Sequence, residues 1–435
     1  MGKKIGRREF IKLGGAGLAG AALLGVAGCS GGGGSGAGGN EIVFSFFPDP
    51  TGSVQKLIDR FNEQNQGITV KLREMPADSG QHFDQLNTQF QSGETSIDVI
   101  GGDVVWPAQF AANGYIADLS DRFPEDERRA FLPATIEANT YKGKVYGVPW
   151  YTDAGMLYYR QDLLEKSGFS EPPKTWDELK GMAAKVREDS GTRYGYVFQG
   201  ADYEGGVVNA LEYIWTSGGD VLDGETVVIN SPEARRGLEI ERSMVAEGVA
   251  PEGVSQYKEQ ESASLFLGGG AVFMRNVPRM YALASDPAES KIDPATIGIA
   301  AMPVVEEGLQ SYSSLGGWNL FLNANSKQAD AAYEFIRFMS APEQQKIRSV
   351  EGSVLPTRKE LYEDPEVLEK VRVAELGQEA IQNTRPRPIS PYYSDMSLKM
   401  AEQFVRSLRG NVTPEEALGV LEGELEEIVR QSQQQ

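Results

Sequence analysis

The sequence predicts an α/β fold divided into two lobes, and three observations lead there. From Glu41 onward the apolar residues alternate between a period of two and a period near 3.6, the pattern of strand–helix–strand units. About 400 residues follow a glycine-rich stretch near the start, more than a single α/β core usually takes. Cysteine occurs once in 435 residues. No disulfide framework or cysteine metal site is therefore available, and packing has to hold the core.

Taken in order, strands are expected at Ile42–Phe46, Ile68–Leu72, Ile97–Ile100, Tyr146–Val148, Met156–Tyr159, Tyr194–Phe198, Val227–Ile229, Ala271–Met274, Ile297–Ala301 and Asn319–Leu322. Each is a short β-branched or aromatic run bounded by turn residues. Val54, Leu57, Ile58 and Phe61 share one helical face between the first two strands, and Phe83, Leu86 and Phe90 mark a second helix before the third. In "TWDEL", Thr175 and Glu178 have the spacing of a capping box and announce another helix. The last third turns helical, with amphipathic stretches near 327–340, 342–350 and 366–382. A final helix starts at Thr413-Pro414-Glu415-Glu416 and carries the stripe Leu418, Leu421, Leu425 and Ile428.

The start of the chain reads as a processing signal rather than as fold. Arg7 and Arg8, followed by Glu9, Phe10, Ile11 and Lys12, match the twin-arginine pattern, and Gly14–Ala27 is apolar but short and glycine-rich for a membrane span. Val26-Ala27-Gly28-Cys29 resembles a bacterial lipoprotein cleavage site. Residues 1–28 are thus expected to be a twin-arginine lipoprotein signal peptide, and residues 29–40 a lipidated Cys29 on a flexible Gly/Ser linker. The alternative is an ordinary secretory signal with a chance cysteine. On the first reading the protein sits outside the cytoplasm, anchored through Cys29 to the outer face of the cytoplasmic membrane.

Composition excludes one large class of partners. Removing residues 1–28 leaves 37 Lys and Arg against 61 Asp and Glu, a formal charge of −24. Such a surface repels phosphate backbones, so nucleic-acid binding is not expected.

Catalytic residue types are scarce. The chain has one histidine, His82 in "DSGQHFDQL", expected on the solvent-exposed face of the following helix, with a ligand contact as the alternative. The glycine clusters at 101–103 and 268–270 match neither the dinucleotide fingerprint nor a Walker loop, and no HExxH or EF-hand pattern occurs. No cofactor and no metal are expected. What the sequence does offer is aromatic rings beside carboxylates and amides, in what read as turns at strand ends: "GGDVVWP" (101–107), "PWYTDAG" (149–155), "ADYEGG" (201–206) and "SLGGWNLF" (314–321). A pyranose presents a C–H face that packs on a ring and a belt of hydroxyls that ionised carboxylates accept from. Glycines before Asp103 and Trp318 would bring backbone close to a ligand.

Over nearly the whole chain after the linker, the sequence resembles the solute-binding lipoproteins of bacterial ABC importers, in the trehalose/maltose-binding branch of the family-1 sugar-binding proteins. The stretches that carry the likeness are "DVIGGDVVWPAQFAANGYIADL", "GKVYGVPWYTDAGMLYYRQDLLEKSGF", "GYVFQGADYEG", "AVFMRN" and "LGGWNL". The resemblance implies a two-lobed periplasmic-binding-protein-like fold (type II), with residues 41–150 and 298–325 in the first lobe, 151–297 and 326–435 in the second, and a ligand cleft at the hinge between them. It implies a monomer that binds a neutral α-linked gluco-disaccharide and delivers it to the transmembrane subunits of an ABC permease without chemistry. It further implies Asp103, Asp153 and Tyr151 as hydroxyl acceptors and stacking ring, Gly317 and Trp318 as a backbone-and-ring element, and Arg387 as a late donor with Arg385 the competing register. Tyr203 and Glu204 match the "YEG" element, which a structural turn explains equally well. Trp106 is a further ring candidate.

Two departures stand out. Where relatives read Asn-Trp-Pro-Tyr, this chain has Asn276-Val277-Pro278-Arg279, so Asn276 and Arg279 become the candidates there. Near "PADSGQHF" a family arginine is missing, leaving Asp78 or Gln81. The rival readings are a receptor for a polyamine, a peptide or another oligosaccharide, and a lipid-anchored glycoside hydrolase using Asp103 and Asp153 as acid and base.

Overall fold

The computed structural model describes residues 40–77 and 79–432. The expectations for the leader, Cys29 and Asp78 lie outside them. Counting strands of four residues or more, the chain forms β1 (Asn40–Phe46), β2 (Ile68–Glu74), β3 (Val99–Asp103), β4 (Val148–Ala154), β5 (Met156–Arg160), β6 (Tyr194–Val197), β7 (Ala271–Asn276), β8 (Ile297–Ala300) and β9 (Ser313–Leu322). They divide between two sheets.

The first sheet runs in the order Leu355–Pro356, β4, β9, β3, β1, β2, with Thr384–Arg385 added beside β9. Its β1, β2 and β3 are parallel, because the helices Ser53–Gln64 and Ser79–Gln91 carry the chain back between them, while β9 enters antiparallel to both β3 and β4. The apolar face of Ser53–Gln64, Leu57 with Ile58 and Phe61, is buried on this sheet. Phe44 at its centre meets Trp150 and Phe335 edge-on, at 5.7 and 5.4 Å between centroids.

In the second sheet the order is β8, β5, β7, β6. One face packs Met156, Tyr158, Val197 and Met274 against Ala263, Phe266 and the segment around Val367–Ile381; the other packs Leu157, Tyr196 and Phe273 against Trp176, Leu179 and Tyr213. Outside lies a helical layer of Glu204–Thr216, Pro232–Ala246, Tyr393–Leu408 and Pro414–Ser432, where the expected stripe residues Leu418, Leu421 and Leu425 are buried.

Several expectations change. Helix Ala329–Met339 buries Ala332, Phe335 and Ile336 in the first core, so the second lobe does not take everything after residue 326. Conversely β8 pairs with β5 in the second sheet, and β4, with Tyr151 and Asp153, belongs to the first. A strand's apolar rhythm says that one face is buried but not against which sheet; long-range register decides that. The stretch 366–382 is three short helices, Pro365–Lys370, Arg372–Leu376 and Gln378–Gln382, and the sixteen-residue helix Tyr393–Leu408 was not anticipated.

The capping box is present as read. Thr175 Oγ1 accepts from the Glu178 N–H at 3.2 Å, and Glu178 Oε2 accepts from the Thr175 N–H at 3.2 Å. Thr175→Ala should lower unfolding stability by about 1 kcal/mol in a urea titration, with an unchanged slope.

Within the helical layer, on helix Pro232–Ala246, Glu241 is buried, and desolvation pushes its carboxyl up to about 8 from an ordinary value of 4.5. Because the folded-state value is the higher one, the folded form holds this proton more tightly. The stabilising contribution is complete below about 4.5 and is lost as pH rises through 8. Glu241→Gln is expected to flatten the fall in melting temperature between pH 5 and 9; an equally steep fall in the variant would disprove this.

Candidate functional site

β3, β9 and β4 lie side by side and set the site by register. Asp103 is opposite Trp318, Trp318 is opposite Tyr151, and Asp153 follows two residues along β4 opposite Gly316. Directly paired residues, and residues two apart, share one face of a sheet. The sheet therefore brings Asp103, Trp318, Tyr151 and Asp153 onto one face. Asp103 is the last residue of its strand rather than part of the following turn, and Tyr151, Asp153 and Trp318 likewise lie within strands rather than in turns.

Glycine makes this arrangement possible, though not by approaching a ligand. Gly317 has φ +112°, and a Cβ there would stand 2.2 Å from the Tyr151 carbonyl oxygen. A Cβ on Gly102 would meet Phe321 at 2.4 Å and Trp106 at 2.7 Å. The expectation that these glycines admit a ligand is thus replaced by one that they admit neighbouring strands and rings.

Trp318 sits in an aromatic nest, with Phe47 at 4.8 Å, Trp106 at 5.3 Å, Phe46 at 5.5 Å and His82 at 5.5 Å between centroids. Trp106 is buried and supports Trp318 from the side. His82 corrects the sequence reading outright. It is fully buried between Trp106 and Trp318, both ring nitrogens lack hydrogen-bond partners among the described residues, and burial pulls its pKa down to about 4, so the ring is neutral. A helix can present a polar residue inward when rings on neighbouring elements cover it, which periodicity alone does not reveal.

The carboxylates differ in their partners. Asp103 accepts from Ser79 Oγ at 3.1 Å and the Val105 N–H at 3.3 Å, and Arg387 Nη2 stands 3.6 Å away. Burial raises its proton affinity, the nearby Glu204 adds to that, and Arg387 opposes it. The Asp153 carboxylate makes no hydrogen bond or ion pair with the described residues. Burial pushes it up to about 7, against the charges of Arg279 and Arg275 and with that of Asp103. Tyr151 is buried beneath Arg348, whose guanidinium carbon lies 5.5 Å from its ring, and desolvation keeps the phenol protonated. Arg348 is itself held by Asp49 at 2.9 Å.

Of the two arginine registers, Arg387 reaches the site. Its Nη1 donates to Glu204 Oε1 at 2.5 Å, and its Nη2 to the Leu315 carbonyl at 3.4 Å. Arg385 instead pairs with Asp220 and lies over Trp215 and Tyr312. Tyr203 is half-buried under Lys258 at the start of helix Glu204–Thr216. Asn276 is buried, and its amide is committed to the Glu259 carbonyl and Ser262 Oγ, each at 3.1 Å, and to the Val277 N–H at 2.9 Å. It is scaffold, and the expectation of a ligand contact there is withdrawn. Arg279 is exposed and sends its charge toward Asp153; Gln81 is exposed on helix Ser79–Gln91. Among the described residues no cluster of three or more His, Cys, Asp or Glu is placed to hold a metal, and no helix is long and apolar enough to cross a membrane.

Sequence reasoning missed Phe47, Ser79, Arg348, Tyr393 and Ser397. Phe47 was findable, because "FSFFPDP" puts a ring at a strand end by the same criterion that singled out Asp103. The others carry no local signal.

The family model for bacterial extracellular solute-binding proteins matches residues 47–346 of this chain. A probable ABC transporter-binding protein of Deinococcus radiodurans is 36% identical over 371 residues, covering 83% of this chain and 87% of that protein. The chain belongs to the bacterial extracellular solute-binding proteins. Among solved structures, the maltose-bound MalE3 of T. maritima superposes with a TM-score of 0.79 at 36% identity, over 89% of this chain and 99% of that one. The GacH receptor of Streptomyces glaucescens, solved unliganded and with acarbose, gives 0.77 at 26% identity over 90% and 99%. As a family member this solute-binding protein has the two-lobed α/β architecture, works outside the cytoplasm as the binding component of an ABC importer, and is not an enzyme.

Proposed function

We propose that this protein captures an α-linked gluco-disaccharide of the trehalose or maltose type between its lobes and delivers it, as a monomer anchored through Cys29, to its permease. The observation that carries the reading is the single face shared by Asp103, Trp318, Tyr151 and Asp153. Two carboxylates, an indole and a phenol are what a neutral ring with a hydroxyl belt needs: C–H faces pack on the rings, and hydroxyls donate to the carboxylates. The solute named for MalE3 is maltose and that for GacH is acarbose, both saccharides, which supports the class. Val277 and Arg279 replace two family aromatics, so the pocket trades stacking area for hydrogen bonding and favours a ligand richer in accessible hydroxyls. A ligand that touches both lobes only when they close shifts the hinge equilibrium toward closure, and the permease can read that closure as occupancy.

Calorimetry with trehalose, maltose, sucrose, palatinose, glucose and spermidine tests the reading. Heat with one of the disaccharides, exceeding that with glucose, is the expected result. Binding of spermidine alone, or release of glucose from the disaccharides, would overturn it.

A further inference from the structure

Glu204 matches a family element that left it open between a ligand contact and a structural turn; its surroundings argue against the ligand contact. It is the first residue of helix Glu204–Thr216, where a negative charge is favoured by the free N–H groups of the first turn. Its Oε1 accepts from Arg387 Nη1 at 2.5 Å and from the Tyr393 hydroxyl at 2.5 Å, and its Oε2 accepts from Ser397 Oγ. Three side-chain donors from two other segments converge on one carboxylate, which leaves it little capacity for a sugar hydroxyl.

Arg387 is in the opposite situation. It is buried, its guanidinium lies 5.8 Å from the Tyr393 ring, and its Nη2 is turned toward Leu315 on β9 and toward Asp103 at 3.6 Å. Its Nε has no partner among the described residues. A guanidinium is a rigid planar fork, so fixing one edge fixes the direction of the others.

Resting on the sugar-binding reading above, we infer that Glu204 is a positioning residue: with Tyr393 and Ser397 it grips one edge of Arg387 and aims the remaining donors across to the ligand-facing side of Asp103. The helices bearing Glu204, Tyr393 and Ser397 belong to the layer outside the second sheet, whereas Asp103 ends a strand of the first. Arg387 therefore spans the seam between the two halves, and its aim bears on ligand held there.

A double-mutant cycle on the full chain tests this, with calorimetry of the wild type's best saccharide and thermal melting of every variant. Glu204→Gln and Arg387→Met should each weaken binding by about tenfold, and the double variant should bind within about twofold of Arg387→Met alone. Losses that multiply, or a folded Glu204→Gln with wild-type affinity, would overturn the inference. Should Glu204→Gln fail to fold, Tyr393→Phe removes one donor to the same carboxylate and is expected to weaken binding; unchanged affinity there counts against it equally. If no saccharide binds the wild type, the ligand reading falls, and nitrogen NMR of the unliganded protein decides the positioning role. Arg387 guanidinium signals, assigned by their loss in Arg387→Met, should be separately resolved in the wild type and averaged in Glu204→Gln. Averaging in both would show that Glu204 holds nothing.

Discussion

Arg275→Ala is expected to destabilise the folded protein by about 3–5 kcal/mol, the usual result of leaving a buried charge without its partner. Arg275 on β7 and Glu212 on helix Glu204–Thr216 are 3% and 1% exposed, so neither ion has water to fall back on. They meet through two bonds, Nε to Oε2 at 2.8 Å and Nη2 to Oε1 at 2.6 Å, while Nη1 reaches Gln199 Oε1 at 3.1 Å. Glu212 Oε1 also accepts from the Ser314 N–H at 2.9 Å, which ties the pair to the start of β9. Gly155, between β4 and β5, closes the cluster: a Cβ there would stand 2.0 Å from Glu212 Oε1. One ion pair thus joins the second sheet, the helical layer and the chain passing between the two sheets. Urea denaturation of Arg275→Ala and of Glu212→Ala should each show the loss, and Arg275→Met with Glu212→Leu together should recover most of it, because the pair itself contributes little net stability once both charges are gone. A single-variant loss under about 1 kcal/mol would mean that the pair is solvated after all.

Asp153→Ala and Trp318→Ala should each weaken the best saccharide by at least about tenfold, since a charge-assisted hydrogen bond or a buried ring contributes about 1.5–3 kcal/mol. For Asp153 the effect depends on pH. Burial holds its carboxyl at about 7, and only the ionised form accepts from two hydroxyls at once. Affinity is therefore expected to fall as pH drops from 8 to 6, and Asp153→Asn should bind weakly with no such slope. Stability without ligand runs the other way. The folded-state value lies above the ordinary 3.8, so this carboxyl's contribution is complete below that value and is lost as pH rises through about 7. Calorimetry and melting curves over the same pH series separate the two. A pH-independent affinity in the wild type would remove Asp153 from the site.

The parts of the site legible beforehand were those carried by strand ends and by residue type. Asp103, and Tyr151 with Asp153, were singled out because rings and carboxylates stand together near the ends of apolar runs; that they share one sheet face came only with the register of β3, β9 and β4. His82 was misread, since its helix repeat does not say that Trp106 and Trp318 roof it over. Asn276 and Glu204 became ligand candidates through the family resemblance, Glu204 with a structural turn as its alternative, yet both are occupied by neighbours up to 193 positions away in the chain. Arg348, Tyr393 and Ser397 were invisible for the same reason.

Local patterning by itself determined the α/β class, the Thr175 cap and the amphipathic helices, because each depends on residues within a few positions of one another. Only the tertiary structure decided which sheet each strand joins, which arginine reaches Asp103, and which polar groups are already engaged by neighbours. Those outcomes depend on register between segments far apart in the chain, where a shift of one residue turns a side chain from one face of a sheet to the other.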